Sequence, residues 1–133
     1  MLRLGADMVD NRVRVIRPAD RSEGQKTPGM RRETAVSTER SWAGYVTTDA
    51  GMVSGWHHHG DFESHIYVVS GVLRMESGPA GRDVIEAHPG DFVFVPAHTV
   101  HREGNPGSDV GAVVVVRAGS GEAVFNVDGP DRP

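Results

Sequence analysis

Seven histidines stand at positions 57, 58, 59, 65, 88, 98 and 101, and none occurs in the first 56 residues. Imidazole nitrogens suit Zn, Fe, Ni and Cu better than Mg or Ca, so a histidine cluster raises metal chemistry before any other. His57 and His59 lie two apart. On a β-strand such residues share a face, so their rings point one way and His58 points the other. A third imidazole from a neighbouring strand would cap the same ion. Cysteine is absent, so no thiolate or disulfide competes, and any metal is held by His, Asp or Glu.

The elements around these residues read as short strands. Arg12–Arg17 alternates polar and apolar and predicts a first strand. Positions 19–29 predict a surface loop, and 31–40 either an edge strand or a helical turn. From Ser41 the strand signals repeat: 42–48, 52–59, 64–70, 72–76, 83–87, 92–95, 110–117 and 123–127. Between them lie Gly, Pro, Asp and Ser turns. Pro96 ends the 92–95 strand. The near-continuous apolar run Val110–Arg117 predicts a strand covered on both faces. Phe92 and Phe94 alternate with Val93 and Val95, so one pair lines the interior; core packing is the expectation for the phenylalanines. Trp56 and Tyr67 either border a pocket or pack between sheets. No stretch after Trp42 holds a 3.6-residue period over three turns. Many short strands with Gly/Pro turns predict an all-β sandwich or closed barrel. The expected layout is a flexible lead-in at 1–11, one domain at 12–128 and a tail at 129–133, with Met8 as an alternative start.

The segment Pro89–Asn105 (PGDFVFVPAHTVHREGN) settles which pattern the histidines belong to. Gly90, Pro96, His101 and Asn105 match the second motif of the cupin superfamily at its spacing, with His98 in place of a glycine. His57, His59 and Gly71 match the first motif, whose opening glycine is displaced to Gly51 or Gly55. The chain therefore resembles a small single-domain cupin. The resemblance implies a double-stranded β-helix, or jelly-roll barrel, holding one divalent ion (Fe, Zn, Ni or Mn) through His57, His59 and His101. The family's glutamate ligand, counted back from Gly71, falls on Ser64. Glu63 fits the shorter spacing from His59 if a bulge absorbs one residue, and His65 shares its parity. Three ligand sets stay open: three histidines, three with Glu63, or four with His65. Glu63 and His98 are the candidate catalytic groups. Arg102 and Glu103 are expected near the rim.

Three neutral imidazoles leave coordination positions open. Such a site supports O2 chemistry at Fe(II), or Lewis-acid polarisation of a carbonyl toward cyclisation or isomerisation. The resemblance covers both, with a slight preference for a dioxygenase acting on a small organic molecule; a non-catalytic small-molecule-binding cupin is the alternative of a different class. The formal net charge of -4 argues against a nucleic-acid surface. No segment approaches the roughly 18 apolar residues of a membrane span. A cytoplasmic homodimer is the remaining expectation, the dimer by analogy with the family.

Overall fold

The computed structural model describes residues 12–133, and the lead-in expected at 1–11 falls outside them. Eleven strands follow a short 3-10 turn at Pro18–Asp20 among these residues: β1 Ser22–Glu23, β2 Met30–Ser37, β3 Ser41–Thr48, β4 His57–His58, β5 Glu63–Ser70, β6 Leu73–Ser77, β7 Asp83–Ala87, β8 Phe92–Val95, β9 His101–Gly104, β10 Gly111–Ala118 and β11 Phe125–Asn126. They form two sheets, ordered β1-β2-β3-β10-β5-β8 and β11-β4-β9-β6-β7, and every strand pairing is antiparallel. Two facing sheets of this order are a jelly roll.

Period-two alternation sets what each strand contributes. In β5, Ser64, Ile66 and Val68 are buried, while His65, Tyr67 and Val69 are exposed. The core joins Met30, Val46, Ile66, Val68, Val93, Val95 and Val115 of the larger sheet to Leu73, Met75 and Ala87 of the smaller. Burying each large aliphatic side chain contributes about 1.5–3 kcal/mol, so these residues hold the sheets together and leave the barrel's other end free for polar groups. β10 runs between β3 and β5, and the centre of the larger sheet is where an apolar run belongs. Its Val116 is nevertheless 38% exposed, so the expectation of cover on both faces fails there.

Other expectations are corrected. Positions 12–17 form no strand. Of the strand expected at 52–59, only β4 and an isolated bridge between Val53 and Gly104 form. Positions 31–40 resolve into β2, and the loop expected at 19–29 includes β1. Val93 and Val95 take the core side of β8, leaving Phe92 and Phe94 outside at 76% and 55% exposure. Tyr67 also lies outside, against Phe92. Trp56 is half-buried, its ring beneath the Arg102 guanidinium.

The motif glycines and Asn105 set the turns. Gly71 has φ +78°, and a Cβ there would lie 2.7 Å from the Gly111 Cα, so both the conformation and the space require glycine. Asn105 is buried. Its amide nitrogen donates to the Thr48 and Asp109 carbonyls, and its Oδ1 accepts from the Gly107 amide. That locks the loop after β9 and so fixes the register of the strand His101 begins.

Candidate metal centre

His57 opens β4, His59 follows it directly, and His101 opens β9 directly opposite His57. All three are buried, His101 to 1% exposure. Ring centroids lie 5.0 Å apart for His57 and His59, 4.4 Å for His57 and His101, and 5.1 Å for His59 and His101. One ligand atom from each lies within 4.8 Å of the others. The Nδ1 atoms all face backbone carbonyls: His57 that of Gly55 at 2.9 Å, His59 that of Ala123 at 2.7 Å, and His101 that of Thr99 at 2.9 Å. A carbonyl only accepts, so each Nδ1 carries the proton and each Nε2 presents its lone pair. Outer hydrogen bonds of this kind orient imidazole ligands on a metal. The residues fit a divalent ion.

Electrostatics agree with that tautomer at His59 and His101. Burial lowers the pKa of His59 to about 3, with the Arg117 charge adding to the effect, and burial also lowers that of His101. Both rings are neutral near pH 7. Burial presses hardest on His57 in the same direction, but the hydrogen bond and charge of Glu103 and the Gly55 carbonyl together outweigh it and raise its pKa.

Glu103 is the residue the sequence reading misplaced. It is not at the rim: its Oε1 lies 3.4 Å from His57 Nε2 and 3.9 Å from His101 Nε2. Burial on its own raises the carboxyl's pKa; the His57 contact and the charges of His101, His57 and His59 hold it down at about 2. The missed signal was available. His101 and Glu103 are separated by two, as His57 and His59 are, and two apart on a strand means one face.

The other candidates lie elsewhere. Glu63 and His65 share the outer face of β5, each side chain 47% exposed, with 3.6 Å between carboxylate and ring. No bulge turns them inward, so neither stands with the three histidines. Ser64 takes the interior position instead, 2% exposed. His98 also falls outside: its side chain is 64% exposed and its Nε2 donates to Asp61 at 2.8 Å. Its φ of +58° explains why the family motif has glycine there. His58 accepts the Gly60 amide through Nδ1 and stacks on Phe125. Arg32 and Arg117 were not singled out from the sequence; both face the interior near the histidines and line a cavity of about 420 Å³ with Trp42, Phe62 and Ala123.

The Cupin domain family matches residues 44–117, more than half of the chain. No curated protein matches. Among solved structures, KdgF from Halomonas sp. is similar with a TM-score of 0.67 and 24% identity, over 80% of this chain and 94% of that one. A conserved protein with a double-stranded β-helix domain from Klebsiella pneumoniae matches with a TM-score of 0.67 and 19% identity, over 79% and 90%. Oxalate decarboxylase of Bacillus subtilis, with Mn(II) centres, matches with a TM-score of 0.68 and 20% identity, over 80% of this chain but 30% of its own length. At these identities the likenesses show the fold, and with the family match and the motif residues in place, the chain belongs to the cupin family.

Proposed function

We propose that this cupin is a metal-dependent enzyme that moves a proton on a small organic substrate, as an isomerase or cyclase does, with Glu103 as the proton carrier. The observation that carries the reading is the half-buried Glu103 carboxylate beside the Nε2 atoms of His57 and His101. His57, His59 and His101 would hold the ion. When bound, it supplies a positive charge that stabilises negative charge on a substrate carbonyl oxygen.

The chain's own residues do the rest. Glu103 accepts a proton from the carbon next to the carbonyl. The C–H electron pair forms the new C–C π bond, and the carbonyl pair moves to oxygen. Return of that proton to another atom completes an isomerisation that needs no oxidant and no second substrate. A carboxylate within reach of the proton contributes about 10²–10⁴-fold in such a step. The dioxygenase reading has its own support in the all-nitrogen donor set, which also suits Fe(II).

The test is Glu103→Gln, with metal content and turnover of a panel of enolisable carbonyl compounds measured together. Turnover lost at unchanged metal content supports the reading. Metal lost in step with activity makes Glu103 a ligand and overturns its role as carrier. Substrate-dependent oxygen uptake by the parent protein supports the dioxygenase instead, and turnover of none of these compounds, with no oxygen uptake, leaves a binding protein.

A further inference from the structure

Arginines on the outer faces close on carboxylates: Arg31 on Glu33, Arg74 on Glu76 and Glu86, and Arg102 on Glu76. The two interior arginines do not. Arg117 on β10 is 9% exposed, its guanidinium lies 4.9 Å above the Trp42 ring, and its Nε has no hydrogen-bond partner. Directly across the sheet sits Ser64, 2% exposed, with its Oγ also unpartnered. Arg32 shares its register pair with the buried Val46, so it faces the same interior; only its Nη1 is engaged, by the Thr27 hydroxyl and the Gln25 carbonyl. Both arginines line the 420 Å³ cavity, whose wall also includes Ala123, the residue that fixes the His59 ring.

Native interiors leave few buried polar atoms unpaired, and each one found calls for a physical reason. Here two occur on adjacent strands, and one of them, on Arg117, belongs to a side chain that lines the cavity. Burying a guanidinium is costly; the Glu103 charge offsets part of that cost for both arginines, but burial, joined at Arg117 by the repulsion of Arg32, outweighs it and lowers the pKa of each. An anion in the cavity that accepts from the guanidinium groups of Arg117 and Arg32 offsets these costs. Guanidinium groups match the two-oxygen edge of a carboxylate, and the cavity volume is that of a small-molecule site.

We propose that the cavity is a carboxylate-binding site in which Arg117 and Arg32 hold the acid end of a small organic acid, leaving its other end toward His57, His59, His101 and Glu103. This rests on the enzymatic reading above and names the substrate class for it. Ser64, standing where the family motif has glutamate, is part of the device: a carboxylate at that position would occupy Arg117 and repel the ligand.

The experiment uses the full chain carrying Trp56→Phe, so that Trp42 alone reports fluorescence. Malonate, its neutral diamide and inorganic phosphate are titrated against protein as purified and against metal-stripped protein, with metal content measured on each sample. Saturable malonate binding that survives metal removal is expected, with the diamide at least about tenfold weaker, a difference of about 1.4 kcal/mol. Arg117→Gln should weaken malonate by at least the same factor. Arg32→Gln, at a half-buried position that carries less of the fold, should weaken it in the same direction. Equal binding of diamide and malonate overturns the proposal, as does phosphate binding as tightly as malonate. So does malonate binding that is lost with the metal yet indifferent to both arginines, which assigns the anion to the ion alone. A parent protein that holds no metal but binds malonate through Arg117 keeps this site and sinks the metal reading.

Discussion

Histidines 57, 59 and 101 and histidines 58, 65 and 98 come from the same stretch of chain and the same residue type, yet they have become different reagents. The first three are buried, their Nδ1 atoms each tied to a carbonyl and their Nε2 atoms turned toward one point. The second three lie toward solvent. His58 accepts a backbone amide, while His65 and His98 face Glu63 and Asp61. One residue of parity separates His58 from each neighbour. The comparison teaches that the backbone carbonyls at 55, 99 and 123 set the first three apart, since each holds one ring nitrogen and turns the other toward the common point.

The largest effect expected from breaking that contrast is on metal content. His101→Ala should lose most of the bound ion, whereas His58→Ala and His65→Ala should retain it. Even outer partners of metal ligands are worth roughly 10–100-fold in affinity, so a ligand itself is worth more. Elemental analysis of the three variants decides this, and full retention in His101→Ala sinks the assignment.

A second contrast is in acid. Unfolded, His59 takes a proton near pH 6.5; folded, it does not until about pH 3. Between those values the unfolded chain binds more protons, so stability falls as pH falls. His101 acts in the same direction. Glu103, held at about 2 in the fold, adds a further loss below the usual carboxyl range near 4.5. His57, whose pKa is raised, opposes them: its contribution is full below 6.5 and fades above it. Metal-free protein should therefore lose several kcal/mol between pH 6.5 and 3, each unit of pKa difference being worth about 1.4 kcal/mol. Denaturant melts across that range test it, and His59→Gln should flatten the slope.

The smallest effect is expected at His98. A non-glycine residue in the left-handed region costs about 1–2 kcal/mol, offset in glycine by the greater freedom of the unfolded chain. The exposed Asp61 pair contributes little. His98→Gly should shift stability by no more than about 1 kcal/mol and leave metal binding intact. A large loss in thermal melts would give His98 a weight its exposed position does not suggest.

Much of this was legible in the sequence because alternation and turn residues are local signals. The strands over 42–48, 64–70, 83–87 and 92–95 and the pairing of His57 with His59 follow from them. What escaped reading depended on choosing between two faces. Phe92 and Phe94 outrank Val93 and Val95 in apolar surface, yet pairing with β5 (Ser64 to Val95, Ile66 to Val93) sent the smaller residues inward. Glu63 and His65 were lost from the site by that same pairing. Arg32 and Arg117 escaped because a charged residue within a strand normally marks the wet face; only the cavity shows that theirs is the dry one. Glu103 was readable from its spacing to His101, and the neighbouring Arg102 drew the pair toward the surface.

The smaller sheet is thinly sewn at the histidines. β4 meets β9 at one residue pair, His57 to His101, and β11 meets β4 at two. Three rings from these short seams converge on a common point, with the His59 ring tied to the Ala123 carbonyl, two residues before β11. Whatever they clasp is a rivet through the seam as well as a reagent. Loading it should quiet amide exchange across 57–62 and 123–127 before it changes anything in the apolar end, so the mouth of the barrel and its chemistry are set by one joint.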